Sequence, residues 1–245
     1  ELFPIGNKPG IQIVLEEAKA AGIKNISCVI SPYKHSIRKY LLYNHFEGGH
    51  LFNSQEISRL DCLDSFNRFF NYSFFIQDLK EKKTDGIGHA ILCAADKIES
   101  NEYFCMAYPD DIFFDVSCGL AEMLKLYRKY NMPVIAVEEI EVGKSNSYGI
   151  VSLDTKISEN AYVISGVIEK PDPTVSPSKF GVVGRHILST EIFELMRSQK
   201  EKEPCFTVAL NKLISKKGMI AMVLNTHRYD IGNVSGYKKA IAELV

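Results

Sequence analysis

Two adjacent carboxylates, Asp110 and Asp111, close an apolar run in the stretch YFCMAYPDDIFFD, residues 103 to 115. Carboxylate oxygens are hard ligands, and Mg²⁺ is usually held by one or two of them together with substrate phosphates. The run from Tyr103 to Ala107 has the length and hydrophobicity of a central strand buried on both faces. Pro109 cannot donate to a sheet ladder, so the strand should end near Tyr108, with both acids just past its carboxyl end. In open α/β sheets that edge is where ligands bind. The dipeptide alone also reads as a loop carrying two solvated acids. A second signal is Gly86-Ile87-Gly88, a glycine turn opening a helix after a strand. It leaves backbone N–H groups free for an anion or a flat ring, although many βα loops contain glycine.

These residues need a sheet and helices to hold them. Residues 10 to 22 have apolar positions at helical spacing and end on Gly22. A strand follows around Ile26 to Ile30, closed by Pro32. Helix is expected over 35–44 and 55–71, with a glycine-marked loop, FEGGHLFNS, between them. Tyr72 to Gln77 reads as a strand, Asp78 to Asp85 as a charged loop, and His89 to Ile98 as a helix. After the two acids come a helix from Cys118 to Tyr130 and a strand from Val134 to Val137. GIVSLD and AYVISGVIEK alternate as antiparallel strands, an insertion that implies a mixed sheet. Residues 181 to 188 read as a strand, then helices span Ser189–Ser198 and 206–216. A strand from Met219 to Leu224 and a closing helix from Gly236 complete an α/β chain of a single domain, with no internal repeat and no dividing linker.

Composition sets the outer limits. The chain has 245 residues, 46% of them hydrophobic, and a formal net charge of −1. That charge offers no global basic field for a nucleic acid. No apolar run approaches the ~18 residues of a membrane helix, and no signal-peptide pattern is present. The six cysteines, at 28, 62, 93, 105, 118 and 205, form no C-x-x-C pair. They read as buried free thiols of a reducing, cytoplasmic compartment.

Seven segments occur in one order: LFPIGNKPGIQIVLEEAKAAGI, DGIGHAIL, YPDD, SYGIV, GVIEKPDP, VGRHIL and YDIGNVSGY. Together they resemble the bacterial UTP–glucose-1-phosphate uridylyltransferases, or UDP-glucose pyrophosphorylases, over nearly the whole chain. The resemblance implies a Rossmann-like mixed, mostly parallel sheet flanked by helices, with a small antiparallel insertion. It also implies a reaction. A sugar 1-phosphate oxygen attacks the α-phosphorus of UTP, pyrophosphate leaves, and UDP-glucose forms. Such chemistry needs no covalent nucleophile. Positioning and charge neutralisation by Mg²⁺ and basic groups carry it, consistent with the lack of a Ser-His-Asp signature. The implied partners are small molecules, a nucleoside triphosphate and a sugar 1-phosphate. The family is commonly oligomeric.

By the same resemblance, Asp110 holds Mg²⁺ against the phosphates and Asp230, in YDIGN, reaches the same metal. Asp111 is read as shaping the loop. Lys170 neutralises the sugar phosphate and Glu169 accepts hydrogen bonds from sugar hydroxyls. Gly149 lets the backbone approach the sugar, and Gly86 packs against the base. His89 is read as packing or capping a helix start, and Arg185 as structural.

Three departures matter. The family's G-x-G-T-R loop and following lysine fall before Glu1, so the chain as given is expected to lack its first strand and triphosphate-binding loop. Glu81 stands where the family has a glutamine that reads uracil. An amide both donates and accepts, whereas a carboxylate only accepts, so Glu81 leaves the base open among UTP, dTTP and GTP. EPCFTVA, residues 203 to 209, and Lys179 also differ from the family pattern. These departures leave room for another base or sugar, or for a non-catalytic nucleotide-sugar-binding paralogue.

Overall fold

The computed structural model describes residues 1–42, 66–77, 86–99, 102–113, 115, 119–141, 143–199 and 205–244. In chain order the elements are β1 (Pro4–Ile5), β2 (Lys8–Pro9), α1 (Gly10–Ala20), β3 (Asn25–Ile30), α2 (His35–Leu42) and β4 (Asn71–Ile76). Next come α3 (Ile87–Cys93), α4 (Ala95–Ile98), β5 (Tyr103–Ala107), β6 (Asp111–Phe113), α5 (Leu120–Tyr130) and β7 (Val134–Glu139). The rest are β8 (Gly149–Ser158), β9 (Ala161–Glu169), β10 (Phe180–Ser189), α6 (Glu191–Arg197), α7 (Phe206–Lys217), β11 (Ile220–Val223), β12 (Arg228–Asp230) and α8 (Val234–Leu244).

The main sheet is mixed, with strand order β5-β10-β7-β11-β9-β8. β7 and β11 pair in parallel, while β10 runs antiparallel to both β5 and β7. β3 and β4 form a separate parallel pair, and β6 and β12 a small antiparallel one. Alternation along β7 divides the interior in two. Ile135 and Val137 pack with α6 and α7, whereas Val134 and Ala136 pack with α1 and α5. That is the period-two signature of a strand covered on both sides.

Helix ends follow backbone chemistry. Gly22 adopts φ +75° after α1, and Asn131 takes the left-handed conformation after α5, donating its N–H to the Tyr127 carbonyl at 2.7 Å. Both conformations are cheap for glycine and tolerable for asparagine. No helix among the described residues is long and apolar enough to cross a membrane.

Three expectations are corrected. Among the described residues Tyr103–Ala107 lies at the end of the main sheet, paired with β10, and its residues are half-buried. Rings still cover both faces, Tyr103 on Tyr127 at 4.2 Å and Phe104 on Phe193 at 5.1 Å. An apolar run reports covered faces and not paired edges, so edge and centre look alike in sequence. The helix expected over 89–98 is two helices, broken where the Ala94 N–H turns to the Ile91 carbonyl at 3.2 Å. Cys205 is exposed, while Cys28 and Cys105 are largely enclosed thiols that burial pushes up to about 12. The readings of 43–65 and of the charged loop 78–85 lie outside the described residues.

Candidate functional site

β12 lies against β6 with Asp230 opposite Asp111, and the Ile231 N–H donates to the Asp110 carbonyl at 2.8 Å. This register carries two aspartates 120 positions apart to one place. Their carboxylates meet over Gly232. A Cβ placed there would lie 2.6 Å from Asp110 Oδ2 and 3.1 Å from Asp230 Oδ1. The Gly232 N–H donates to Asp230 Oδ1 at 2.9 Å, which fixes that side chain. Burial raises the pKa of Asp110, and the charges of Asp111, Asp230 and Glu1 push it in the same direction. A divalent cation would relieve that repulsion, and the donor set is hard oxygen. Among the described residues no group of three or more His, Cys, Asp or Glu is spaced to hold a metal. Two carboxylates with open positions for phosphate oxygens are the arrangement Mg²⁺ favours. Gly232→Ala is expected to force the acids apart and cut turnover about 10²-fold, as for other ångström-scale misplacements. A divalent-cation titration of initial rates checks this, and an unchanged rate rules out the convergence as functional.

A buried scaffold holds this corner. The strand β10 carries a bulge against β7 between Val182 and His186, which turns Gly184 and Arg185 toward the acids. The Gly184 N–H donates to Asp111 Oδ2 at 2.7 Å. Arg185 is fully buried, paired with Glu17 on α1 at 2.9 Å. It also donates to the Tyr108 carbonyl at 3.0 Å and the Asp111 carbonyl at 2.8 Å. Arg185 and Asp111 are thus scaffold, as read from the sequence. Arg228 adds a second clamp, bonded to Asp111 and Glu138, with the Tyr148 hydroxyl 3.3 Å away.

A second group gathers where β8 and β9 pair. Gly149 stands opposite Glu169. A Cβ on Gly149 would come within 3.2 Å of Val167 Cγ1 and 3.5 Å of Glu169 Oε2, so the strand surface is tight there. Glu169 Oε2 accepts from the Thr207 hydroxyl of α7 at 3.0 Å. Lys170 follows with φ +45°, its N–H on the Tyr148 carbonyl at 2.9 Å and its ammonium exposed. A left-handed lysine is uncommon and costs about 1–2 kcal/mol. It turns the chain out of β9 just where the charge is presented. Tyr108 lies between the two groups, its phenol held above its ordinary range by burial and by Asp111, Glu169 and Asp110.

Gly86 belongs to a separate turn. It caps α3 with extended backbone, its carbonyl accepting from Gln77 at 3.3 Å. His89 lies inside α3 and makes no cap hydrogen bond. Glu81 lies outside the described residues.

A sequence profile described as "Nucleotidyl transferase" matches residues 1–245. The chain belongs to the nucleotidyl transferase family. A UTP–glucose-1-phosphate uridylyltransferase of Bacillus subtilis (strain 168) is 30% identical over 249 residues, spanning 100% of this chain and 81% of that protein. One from Staphylococcus epidermidis (strain RP62A) is 29% identical over 256 residues, with 99% and 83% covered. The solved structure of an apo UDP-glucose pyrophosphorylase superposes with a TM-score of 0.88 at 30% identity, covering 99% of this chain and 88% of that one. A UDP-glucose pyrophosphorylase complexed with UDP-glucose superposes with a TM-score of 0.84, again at 30% identity and with 99% and 88% covered.

Among the residues of this candidate site that escaped the sequence reading are Glu17, Tyr108, Arg228 and Gly232. Glu17 sits mid-helix beside Glu16 and looks solvated until α1 is packed. Arg228 precedes YDIG and Gly232 closes it, and a glycine two places after an aspartate was available as a signal of close approach.

Proposed function

We propose that this nucleotidyl transferase moves a uridylyl group from UTP to glucose 1-phosphate with Mg²⁺, forming UDP-glucose and pyrophosphate in the cytoplasm. The observation that carries the reading is the convergence of Asp110 and Asp230 over Gly232. The uridylyltransferases and UDP-glucose pyrophosphorylases it resembles supply the substrate class. Asp110 and Asp230 would hold the cation, which when bound neutralises charge on the phosphates. Lys170 meets the sugar phosphate with a compact ammonium. Glu169, oriented by Thr207, accepts from sugar hydroxyls. Gly149 admits the sugar to the strand surface, and Gly86 faces the base. No residue need form a covalent intermediate; the sugar phosphate is the nucleophile, and the protein aligns it with the α-phosphorus.

Glu81, which can only accept, leaves the base open to a second reading, the same transfer from dTTP or GTP; of the two, only guanine would offer it two donors. The experiment is pyrophosphate release by the full-length protein with glucose 1-phosphate, Mg²⁺ and each of UTP, dTTP, GTP and ATP. Release foremost with UTP is expected. Release foremost with another triphosphate keeps the chemistry and moves the base. No release with any triphosphate or any sugar 1-phosphate overturns the transferase reading in favour of a non-catalytic paralogue.

A further inference from the structure

We propose that Tyr108 selects the acceptor, its hydroxyl donating a hydrogen bond to a ring hydroxyl of the bound sugar 1-phosphate. The proposal rests on the transferase reading above and adds a residue to it.

Tyr108 is fixed at its backbone from three directions. Its N–H donates to the Gly184 carbonyl at 2.8 Å, and its carbonyl accepts from Arg185 at 3.0 Å and from the Asp111 N–H at 3.3 Å. Its ring root lies against Gly184, where a Cβ would come within 2.6 Å of Tyr108 Cβ and 2.7 Å of Cγ. The His186 ring packs 5.8 Å from the Tyr108 ring at 31°. His186 is fully buried and packs edge-on against Phe206, at 5.5 Å and 75°. Phe206 precedes Thr207, whose hydroxyl holds Glu169 at 3.0 Å. Tyr108 and the sugar-side carboxylate therefore rest on one packed layer built from β5, β10 and α7. Burial drives His186 down to about 3, with Arg185 adding to the effect, so that layer stays neutral at physiological pH.

The phenol's surroundings define its role. Asp111, Glu169 and Asp110 are the carboxylates that act on it. Asp111 is already committed to the Gly184 N–H and to Arg228. The two left are the sugar-side Glu169 and the metal-side Asp110; the ring contacts through His186 and Phe206 set Tyr108 beside the first, and the chain carries the second two residues on. A neutral phenol is a hydrogen-bond donor. Among the described residues no side chain or backbone group satisfies that hydroxyl. A ring hydroxyl of the acceptor, accepting from Tyr108 and donating to Glu169, would complete both.

Such a bond is worth roughly a 2- to 12-fold change in affinity. A site built to bond a substrate hydroxyl also rejects the analogue lacking it. Tyr108→Phe keeps the ring and its packing and removes only the oxygen. The expected result is a KM for glucose 1-phosphate raised about 3- to 10-fold, with the KM for UTP and the melting temperature unchanged. In the wild type, one monodeoxy analogue of glucose 1-phosphate should fall at least ~5-fold behind the parent in kcat/KM, and Tyr108→Phe should close that gap. An unchanged KM for the sugar phosphate, or equal changes for both substrates, overturns the proposal. So does equal use of every monodeoxy analogue by the wild type, which needs no variant. A wild type that turns over glucose 1-phosphate while these effects are missing leaves the transferase reading intact. A wild type inactive with every sugar phosphate removes both.

Discussion

Asp110→Asn should lower turnover by about 10³-fold or more, equivalent to ~4 kcal/mol of lost transition-state stabilisation, yet leave the metal-free protein as stable as the wild type or more so. The amide has nearly the same volume, and the Asp110 carbonyl that accepts from Ile231 is untouched. What changes is charge. Folding brings the Asp110 carboxylate into a half-buried corner beside Asp111, Asp230 and Glu1, and its pKa rises. The folded state then binds the proton more tightly than the unfolded chain. The ionised carboxylate therefore opposes folding above the raised pKa, and that opposition fades as pH falls through it. Removing the charge should raise the metal-free melting temperature at neutral pH, with the gain vanishing in acid. A divalent cation should lift the wild-type melting temperature and leave the variant unmoved, since a ligand stabilises only the state it binds. The same raised pKa means that the wild-type shift should weaken at a pH above the ordinary aspartate range. Thermal melts at two pH values, with and without Mg²⁺, check this alongside turnover. Near wild-type turnover, or an equal Mg²⁺ shift in both proteins, removes Asp110 from the metal site.

How far the sequence reaches is visible in that same pair. Asp110 could be read directly, because an apolar run, a proline and an acid together mark the carboxyl end of a strand. Asp230 could be read only through resemblance to a family. Nothing local in YDIGN says that it will lie opposite β6, because the register of a two-strand pairing between distant segments is set by tertiary packing. The antiparallel pairing of Gly149 with Glu169 was legible, since two alternating segments joined by a short turn have few other ways to pair. The β10 bulge was not. GVVGRHIL reads as an uninterrupted strand, and only the structure shows its middle displaced to bring Gly184 and Arg185 under the acids. Tyr108 was legible as a strand end and illegible as a site residue, because its meaning depends on Glu169, which arrives from β9.

Glu17→Ala should destabilise the fold by about 3–5 kcal/mol, the cost of leaving a buried charge without its partner. Glu17 accepts from Arg185 Nε at 2.9 Å, lies 2.9 Å from Nη2 in the same ion pair, and accepts from the Leu120 N–H that opens α5 at 2.8 Å. Without it the Arg185 guanidinium keeps the carbonyls of Tyr108 and Asp111 and the face of Phe113, 4.6 Å away, but no counter-charge. Replacing both partners by apolar residues, as in Glu17→Met with Arg185→Met, removes the stranded charge and should recover most of the loss, since a buried pair often breaks even against well-packed hydrophobes. Turnover should not return with it. Arg185 bonds the Tyr108 and Asp111 carbonyls and so adds to the ties Gly184 makes between YPDD and β10; the double variant should fold with Asp110 misplaced and remain about 10²-fold slow. Urea denaturation midpoints give the first quantity and initial rates the second. A loss under ~1 kcal/mol for Glu17→Ala would mean that water reaches the pair. Full activity in the double variant would mean that the β6–β12 register and Arg228 alone suffice to place the acids, making the Glu17–Arg185 pair a matter of stability only.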